Sequence, residues 1–380
     1  GYSSVGDGGG NIYEVVAAAT GSDDGGSFID LATHQAKGVF QKSIVNVKQF
    51  GATGDGVADD SSKIQAAIDY VETTGGDVVF PQGDYRVSVT KGTNDKYGIK
   101  IDSSSVSLVG ENGSSLRRLD SDISTFAKSF PILLIGSPDD NSTQVSDISV
   151  RGLKFVGEDT RHTSGGSALM DGRQSIWLKN VDGCSISGNE FSDIDSSSIW
   201  TQFPGAFDYE NSAYYNTTKC YNVTIESNKF EGQSHSTNGR ALMHTISLRA
   251  DNVVVSDNTF FWCDVCVSST TTYDDYDDKE TDTFSHTNLG VSVKRSGRGL
   301  TITGNIIHNS SEHCFYLNSM TVSCAGNNII VDNSTVCNTN QIQLRGRGVS
   351  VSGNTMTGVF TGISVSTGAS DANISGNSIQ

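Results

Sequence analysis

The sequence predicts an all-β protein, a right-handed parallel β-helix. Three observations carry that prediction. A strand segment recurs seven times with Asn at one position. A second strand precedes most copies at a nearly constant offset. Only four prolines interrupt 380 residues, as expected where strands need their N–H groups.

The repeated segments run over 184–191, 223–230, 253–260, 300–307, 322–329, 349–356 and 372–379, with Asn189, Asn228, Asn258, Asn305, Asn327, Asn354 and Asn377 in register. Three residues before each Asn stands Ile186, Ile225, Val255, Ile302, Cys324, Val351 or Ile374. Two residues after it stands Phe191, Phe230, Phe260, Ile307, Ile329, Met356 or Ile379. Alternating apolar positions turn one strand face inward. The Asn falls at a turn, where it is expected to take the left-handed conformation and bond the Asn one coil away. Intervals of 22 to 47 residues indicate a solenoid with variable insertions.

Composition fits a narrow apolar core: 35% of residues are hydrophobic. A net charge of −17 argues against nucleic acid or an anionic membrane surface as partner. No apolar run reaches 18 residues, so no membrane-spanning helix is predicted. Seven cysteines include Cys263 and Cys266 at CxxC spacing, but no second pair stands at zinc-finger distance. No metal or cofactor is expected. Cys324 occupies a core position, and free thiols suit assembly in a reducing cytoplasm.

Residues 1–40 are rich in Gly, Ser and Ala and carry short apolar clusters; they read as an N-terminal adaptor. Residues 41–95 form an end-cap unit. It has a strand at 45–50, a Gly- and Asp-rich turn at 51–60, and a helix with Ile64, Ala67, Ile68 and Val71 on one face. Gly75-Gly76 ends that helix. Residues 96–380 carry the coils. The last residues are a full repeat strand, so a removed C-terminal segment or a covering partner is expected.

The turn Gly54-Asp55-Gly56-Val-Ala-Asp59-Asp60 followed by an amphipathic helix resembles the start of the pectate-lyase-like β-helix superfamily. The order of adaptor, turn and Asn-marked coils most resembles bacteriophage tailspike proteins. That resemblance implies a helix plugging the end of the solenoid. It also implies a homotrimer attached to the phage tail or baseplate through its N-terminal segment, made in the host cytoplasm and carried on the virion. The partner it implies is a bacterial surface polysaccharide. The turn alone does not fix the reaction, because hydrolases, lyases, epimerases and inert spikes share it.

The second strand set runs over 175–179, 198–202, 245–249, 290–294, 314–318, 341–345 and 362–366. Alternation points Trp177, Trp200, Ser247, Ser292, Tyr316, Gln343 and Ser364 outward in one column. Lys179, Gln202, Arg249, Lys294, Asn318, Arg345 and Ser366 form the next. The 290–294 alignment competes with 265–267. Aromatic faces stack on sugars and cations suit glycan carboxylates, so Trp177, Lys179, Trp200, Arg249, Lys294, Tyr316 and Arg345 are the expected carbohydrate contacts. The alternative is that the aromatics pack against a neighbouring subunit.

Hydrolysis of a glycosidic bond needs two carboxyl groups about 5–9 Å apart. Asp208 and Glu210 lie in a long aromatic insertion, Asp193 and Asp195 precede the Trp200 strand, and Glu312-His313 precedes the Tyr316 strand. Asp208, Glu210, Glu312 and His313 are therefore the catalytic candidates. An acidic insertion at 270–282 lacks the EF-hand spacing. A lyase would instead use Lys179, Arg249, Lys294 and Arg345 to neutralise a uronate, with His244, His313 or Tyr316 as base. A spike that only binds is the third class.

Overall fold

The computed structural model describes residues 6–40, 44–89, 97–119, 131–137, 143–157, 174–192, 194, 197–201, 220–232, 244–248, 250–263, 265–270, 283–286, 291–294, 298–310, 314–332, 340–358, 361–366 and 369–380. The chain winds as a parallel β-helix with three long sheets. A front sheet of nine strands starts at Ile99–Ile101 and ends at Thr361–Val365. A second sheet of eleven carries the long strands, such as Val181–Ser187 and Cys220–Glu226. A third sheet of eleven follows the Asn corner, with strands such as Glu190–Ser192 and Lys229–Glu231. Each coil passes front, long, Asn corner, third.

The inward columns match the repeat. Ile186, Ile225, Val255, Ile302, Cys324 and Val351 pair in register across successive long strands, all fully buried. After the corner, Phe155, Phe191, Phe230 and Phe260 stack face to face at 5.2, 4.8 and 4.8 Å. Each buries a large apolar area and gains ring stacking as well.

The asparagines form one continuous ladder. Asn228 Oδ1 accepts from the backbone N–H and from Nδ2 of Asn189, at 2.9 and 3.1 Å. Asn228 Nδ2 also donates to the Ile186 carbonyl at 2.8 Å. The same pattern runs through Asn258, Asn305, Asn327, Asn354 and Asn377. Leu153 N–H closes its first step on Asn189 Oδ1 at 3.0 Å. The left-handed turn is one residue earlier than the sequence suggested: Gly188, Ser227, Asp257, Gly304, Gly326, Gly353 and Gly376 take positive φ, and the Asn does not. With its backbone outside that turn, each Asn side chain points inward and is satisfied there.

Helix α1, Ser61–Thr74, buries Ile64, Ala67, Ile68 and Val71 in the same core as the first coils. Two of its polar side chains act as a substitute strand at the edge of the front sheet. Gln65 accepts from Lys100 N–H at 2.9 Å and donates to the Lys100 carbonyl at 3.1 Å. Glu72 accepts from the N–H groups of Asp102 and Ser103, at 2.7 and 3.2 Å. Asp60 starts the helix, but its carboxylate bonds Thr53 and Gly54 N–H and ties the glycine-rich turn instead of capping. Burial pushes the Asp60 carboxyl up despite these donors.

Residues 6–40 hold an antiparallel sheet of three strands, Ile12–Ala17, Phe28–Asp30 and His34–Val39. Six described cysteines are buried free thiols. Burial raises Cys184, Cys266 and Cys324 well above the ordinary thiol range, and Cys220 to about 11. Such thiols are poor nucleophiles and poor metal ligands. Among the described residues no group of three His, Cys, Asp or Glu has a metal-binding arrangement.

Candidate functional site

The outward face of the front sheet is built by register alone. Trp177 pairs with Trp200, Trp200 with Ser247, Ser247 with Ser268, Ser268 with Tyr316, Tyr316 with Gln343 and Gln343 with Ser364. The strand at the fourth of these positions is Val265–Thr270. That corrects the alignment at 290–294. Val291–Lys294 pairs antiparallel with Thr283–His286 in a separate hairpin, so Lys294 leaves the cation column and Thr270 takes its place. The long-sheet strands on either side leave room for one front strand between them, since Val253 pairs directly with Leu300.

Burial divides the aromatic column. Trp177 is 3% exposed and Lys179 2%. Neither offers a face to a ligand. Trp177 instead supports Trp200 from the coil below, with ring centroids 5.4 Å apart and planes tilted by 31°. Lys179 Nζ lies 5.6 Å from the Trp177 ring. Gly136 makes room for this: a Cβ there would sit 1.8 Å from the Lys179 carbonyl oxygen, and its φ is +111°. Trp200 and Tyr316 are half-buried. The Arg345 guanidinium lies over the Tyr316 ring at 5.2 Å, a cation–π contact that fixes both groups. Gln343 Nε2 donates to Ser366 Oγ at 3.0 Å beside them.

Trp200 and Tyr316 stand three strand spacings apart, about 14 Å. Between them the column carries only Ser247 and Ser268. Among the described residues the outward columns from Trp177 to Ser366 hold cations and no carboxylate. The nearest described carboxylate in these columns is Asp102, two coils below Lys179 and ion-paired with Lys100. Both were legible in the alternation of Ile99, Lys100, Ile101 and Asp102 but were missed, because no Asn marks that coil. Arg249, Asp208, Glu210, Glu312 and His313 lie outside the described residues, as do Asp193 and Asp195. The insertions after Thr201 and after Thr270 leave the same corner, between front and long strands, two coils apart. The coil of Ser247 lies between them.

Residues 44–379 match the rhamnogalacturonase A/epimerase, pectate lyase-like family, and the chain belongs to it. Short segments resemble two curated enzymes of Azotobacter vinelandii. Mannuronan C5-epimerase AlgE1 is 51% identical over 53 residues, which is 14% of this chain and 4% of that enzyme. Alginate lyase 7 is 50% identical over 66 residues, 17% of this chain and 8% of that enzyme. The chain thus matches less than a tenth of the length of these curated relatives. Solved structures share the fold at low identity. The tailspike protein of E. coli bacteriophage HK620, in complex with a pentasaccharide, has a TM-score of 0.58 at 14% identity and covers 100% of this chain and 62% of its own. The Streptococcus pneumoniae adhesin PfbA has 0.57 at 16%, covering 85% of this chain and 78% of its own. A Yersinia enterocolitica family 28 exopolygalacturonase has 0.53 at 13%, covering 90% and 67%.

Proposed function

We propose that this chain is a phage tailspike that binds a bacterial surface polysaccharide on its front sheet and depolymerises it. The observation that carries the reading is the column holding Trp200 on Trp177 and Tyr316 under Arg345, on a pectate-lyase-like β-helix. Both rings are held rigid by their backing groups, so stacking a sugar on them loses little side-chain freedom. Arg345 stands out in a chain of charge −17 and suits an acidic glycan. The reaction in this reading is hydrolysis. Two carboxyl groups among Asp208, Glu210 and Glu312 act as acid and as base or nucleophile, with His313 adjacent. Capsule and O-antigen are the substrate classes.

A second reading is favoured by the relatives. Segments half identical to an alginate lyase and a mannuronan epimerase, beside front columns with cations and no described carboxylate, suit proton abstraction from a uronate. Cations neutralise the uronate carboxylate, and a base removes the C5 proton. One experiment separates the two. The protein is incubated with a panel of capsules, O-antigens and alginate, and the products are read for reducing ends and unsaturated uronates. Reducing ends without unsaturation support hydrolysis. Unsaturated ends, or inverted C5 centres without cleavage, support the second reading. Binding with neither sinks both and leaves an adhesin.

A further inference from the structure

A cleft of about 630 Å³ lies between the three-stranded N-terminal sheet and the start of the long sheet. That volume is in the range of small-ligand sites. One wall is Ile12 and Val39, which face each other across the pair formed by Ile12–Ala17 and His34–Val39. The other is strand Ile44–Asn46 with Val79, which pairs with Asn46. Ile12, Val39 and Ile44 are all exposed. Phe40 also lines the cleft, held by a parallel stack on Phe50 at 5.6 Å and a tilted contact with Tyr70 at 4.6 Å. Among the described lining residues none is charged, and three are carboxamides: Asn11, Asn46 and Gln49.

Two of these carboxamides are fixed in advance. Gln49 Oε1 accepts from Asn46 N–H and Asn46 Oδ1 accepts from Lys48 N–H, both at 2.8 Å. This reciprocal cap starts the short turn Val47–Phe50. Their amide nitrogens donate to the Gly10 and Gly8 carbonyls at 3.3 Å. A carboxamide has two N–H groups and two oxygen lone pairs, so each keeps one of both open.

We propose that this cleft binds an N-acetylated amino sugar. An acetamido group needs a donor for its carbonyl, an acceptor for its N–H and an aliphatic surface for its methyl. Asn46 and Gln49 supply the first two, and Ile12, Val39, Ile44 and Val79 supply the third. A charged sugar would lose hydration here without gaining a counter-charge. A plain hexose has hydroxyls for the amides but no methyl for the aliphatic walls. A peptide carries the same amide, but peptides are held through a run of backbone groups at a strand edge. These walls offer side-chain carboxamides already locked in place, so little freedom is lost on binding. The front sheet contributes no described residue to the cleft, so the proposal stands apart from the glycan reading above.

The test is saturation-transfer NMR on the full chain, with titration for affinity and far-ultraviolet circular dichroism as the folding check. The probes are N-acetylglucosamine, glucosamine, glucose and N-acetylalanine methylamide. N-acetylglucosamine should show transfer strongest at its acetyl methyl, and the other three should bind at least about tenfold more weakly. Asn46→Asp and Gln49→Glu each remove an N–H donor yet keep the oxygen that accepts within the cap, so the fold is retained. Each should weaken N-acetylglucosamine binding at least about tenfold, because a carboxylate then faces the ligand carbonyl. Should one of the two disturb the dichroism, the other decides. Trp200→Ala, on the front sheet, should keep the signal. No binding by wild type overturns the proposal, as does equal binding of glucose. A signal lost in Trp200→Ala, or kept in both amide variants, places the sugar elsewhere and also overturns it. Tighter binding of N-acetylalanine methylamide overturns it in favour of a peptide.

Discussion

Asn305 Oδ1 receives two hydrogen bonds from Asn258, one from its backbone N–H at 3.0 Å and one from its Nδ2 at 3.1 Å. Asn258 in turn accepts the same pair from Asn228 and donates to the Ile225 carbonyl at 2.9 Å. One fully buried carboxamide therefore satisfies two backbone groups of the preceding coil and the side chain of the next. Replacing it by Ala orphans Asn228 N–H and the Ile225 carbonyl in the dry core. Asn258→Ala should lower stability by about 3 kcal/mol or more, against about 1 kcal/mol for the partly exposed Asn377→Ala. Denaturant unfolding of both variants checks the contrast.

Glycine is needed at two kinds of position here, and they separate by substitution. Gly188→Ala meets no atom within 4 Å and pays only for its φ of +63°, about 1 kcal/mol. Gly136→Ala meets the Lys179 carbonyl at 1.8 Å as well as a φ of +111°, and should lose roughly 3 kcal/mol. Because Lys179 and Trp177 must shift, Gly136→Ala should also alter the near-ultraviolet dichroism of the stacked tryptophans. Unchanged dichroism with a large stability loss would sever the link between that glycine and the front face.

Glu72 makes stability depend on pH. Burial, then the nearby carboxylates, raise its carboxyl from 4.5 to about 7 against the pull of the Asp102 N–H and Lys100. The folded state thus holds this proton more tightly than the unfolded chain. The contribution is complete below about pH 4.5, declines as pH rises, and is gone above about 7. Glu72→Gln keeps an acceptor for Asp102 and Ser103 N–H without the ionisation. The variant should match wild type at pH 4 and melt higher at pH 8, and melting temperatures across that range read it out. A wild type whose excess stability grows with pH relative to Glu72→Gln would contradict the assignment.

Much of this architecture was legible because a β-helix repeats its physics. Ile186, Asn189 and Phe191 meet the same neighbours as Ile225, Asn228 and Phe230 one coil on, so one register explains all. The site was less legible where a local pattern has two solutions. Val291–Lys294 alternates as well as any front strand, while the true strand puts Ser269 inward between Leu248 and Leu317 and so loses the apolar signal. Spacing discriminates: eight residues separate Phe191 from Ile199 and Ile307 from Phe315, and seven separate Phe260 from Val267. The burial of Trp177 was not legible at all, because alternation gives a direction and says nothing of what stacks above.

The last prediction joins binding to chemistry. Trp200 presents the supported ring, so Trp200→Ala should weaken glycan binding by about 1 kcal/mol or more with stability nearly unchanged. Trp177→Leu removes the support from a buried site, so it should lower stability and weaken binding only through Trp200. A catalytic carboxyl behaves in the opposite way. Among Asp208→Asn, Glu210→Gln and Glu312→Gln, those that carry the reaction should lower kcat at least about 10²-fold while binding is retained. Arg345→Gln divides the two chemistries. It spares the carboxyl pair of a hydrolase and mainly raises KM, whereas in an elimination it withdraws charge from the developing carbanion and lowers kcat itself. If all three carboxyl variants keep full activity and Arg345→Gln loses kcat, hydrolysis is refuted and proton abstraction from a uronate takes its place.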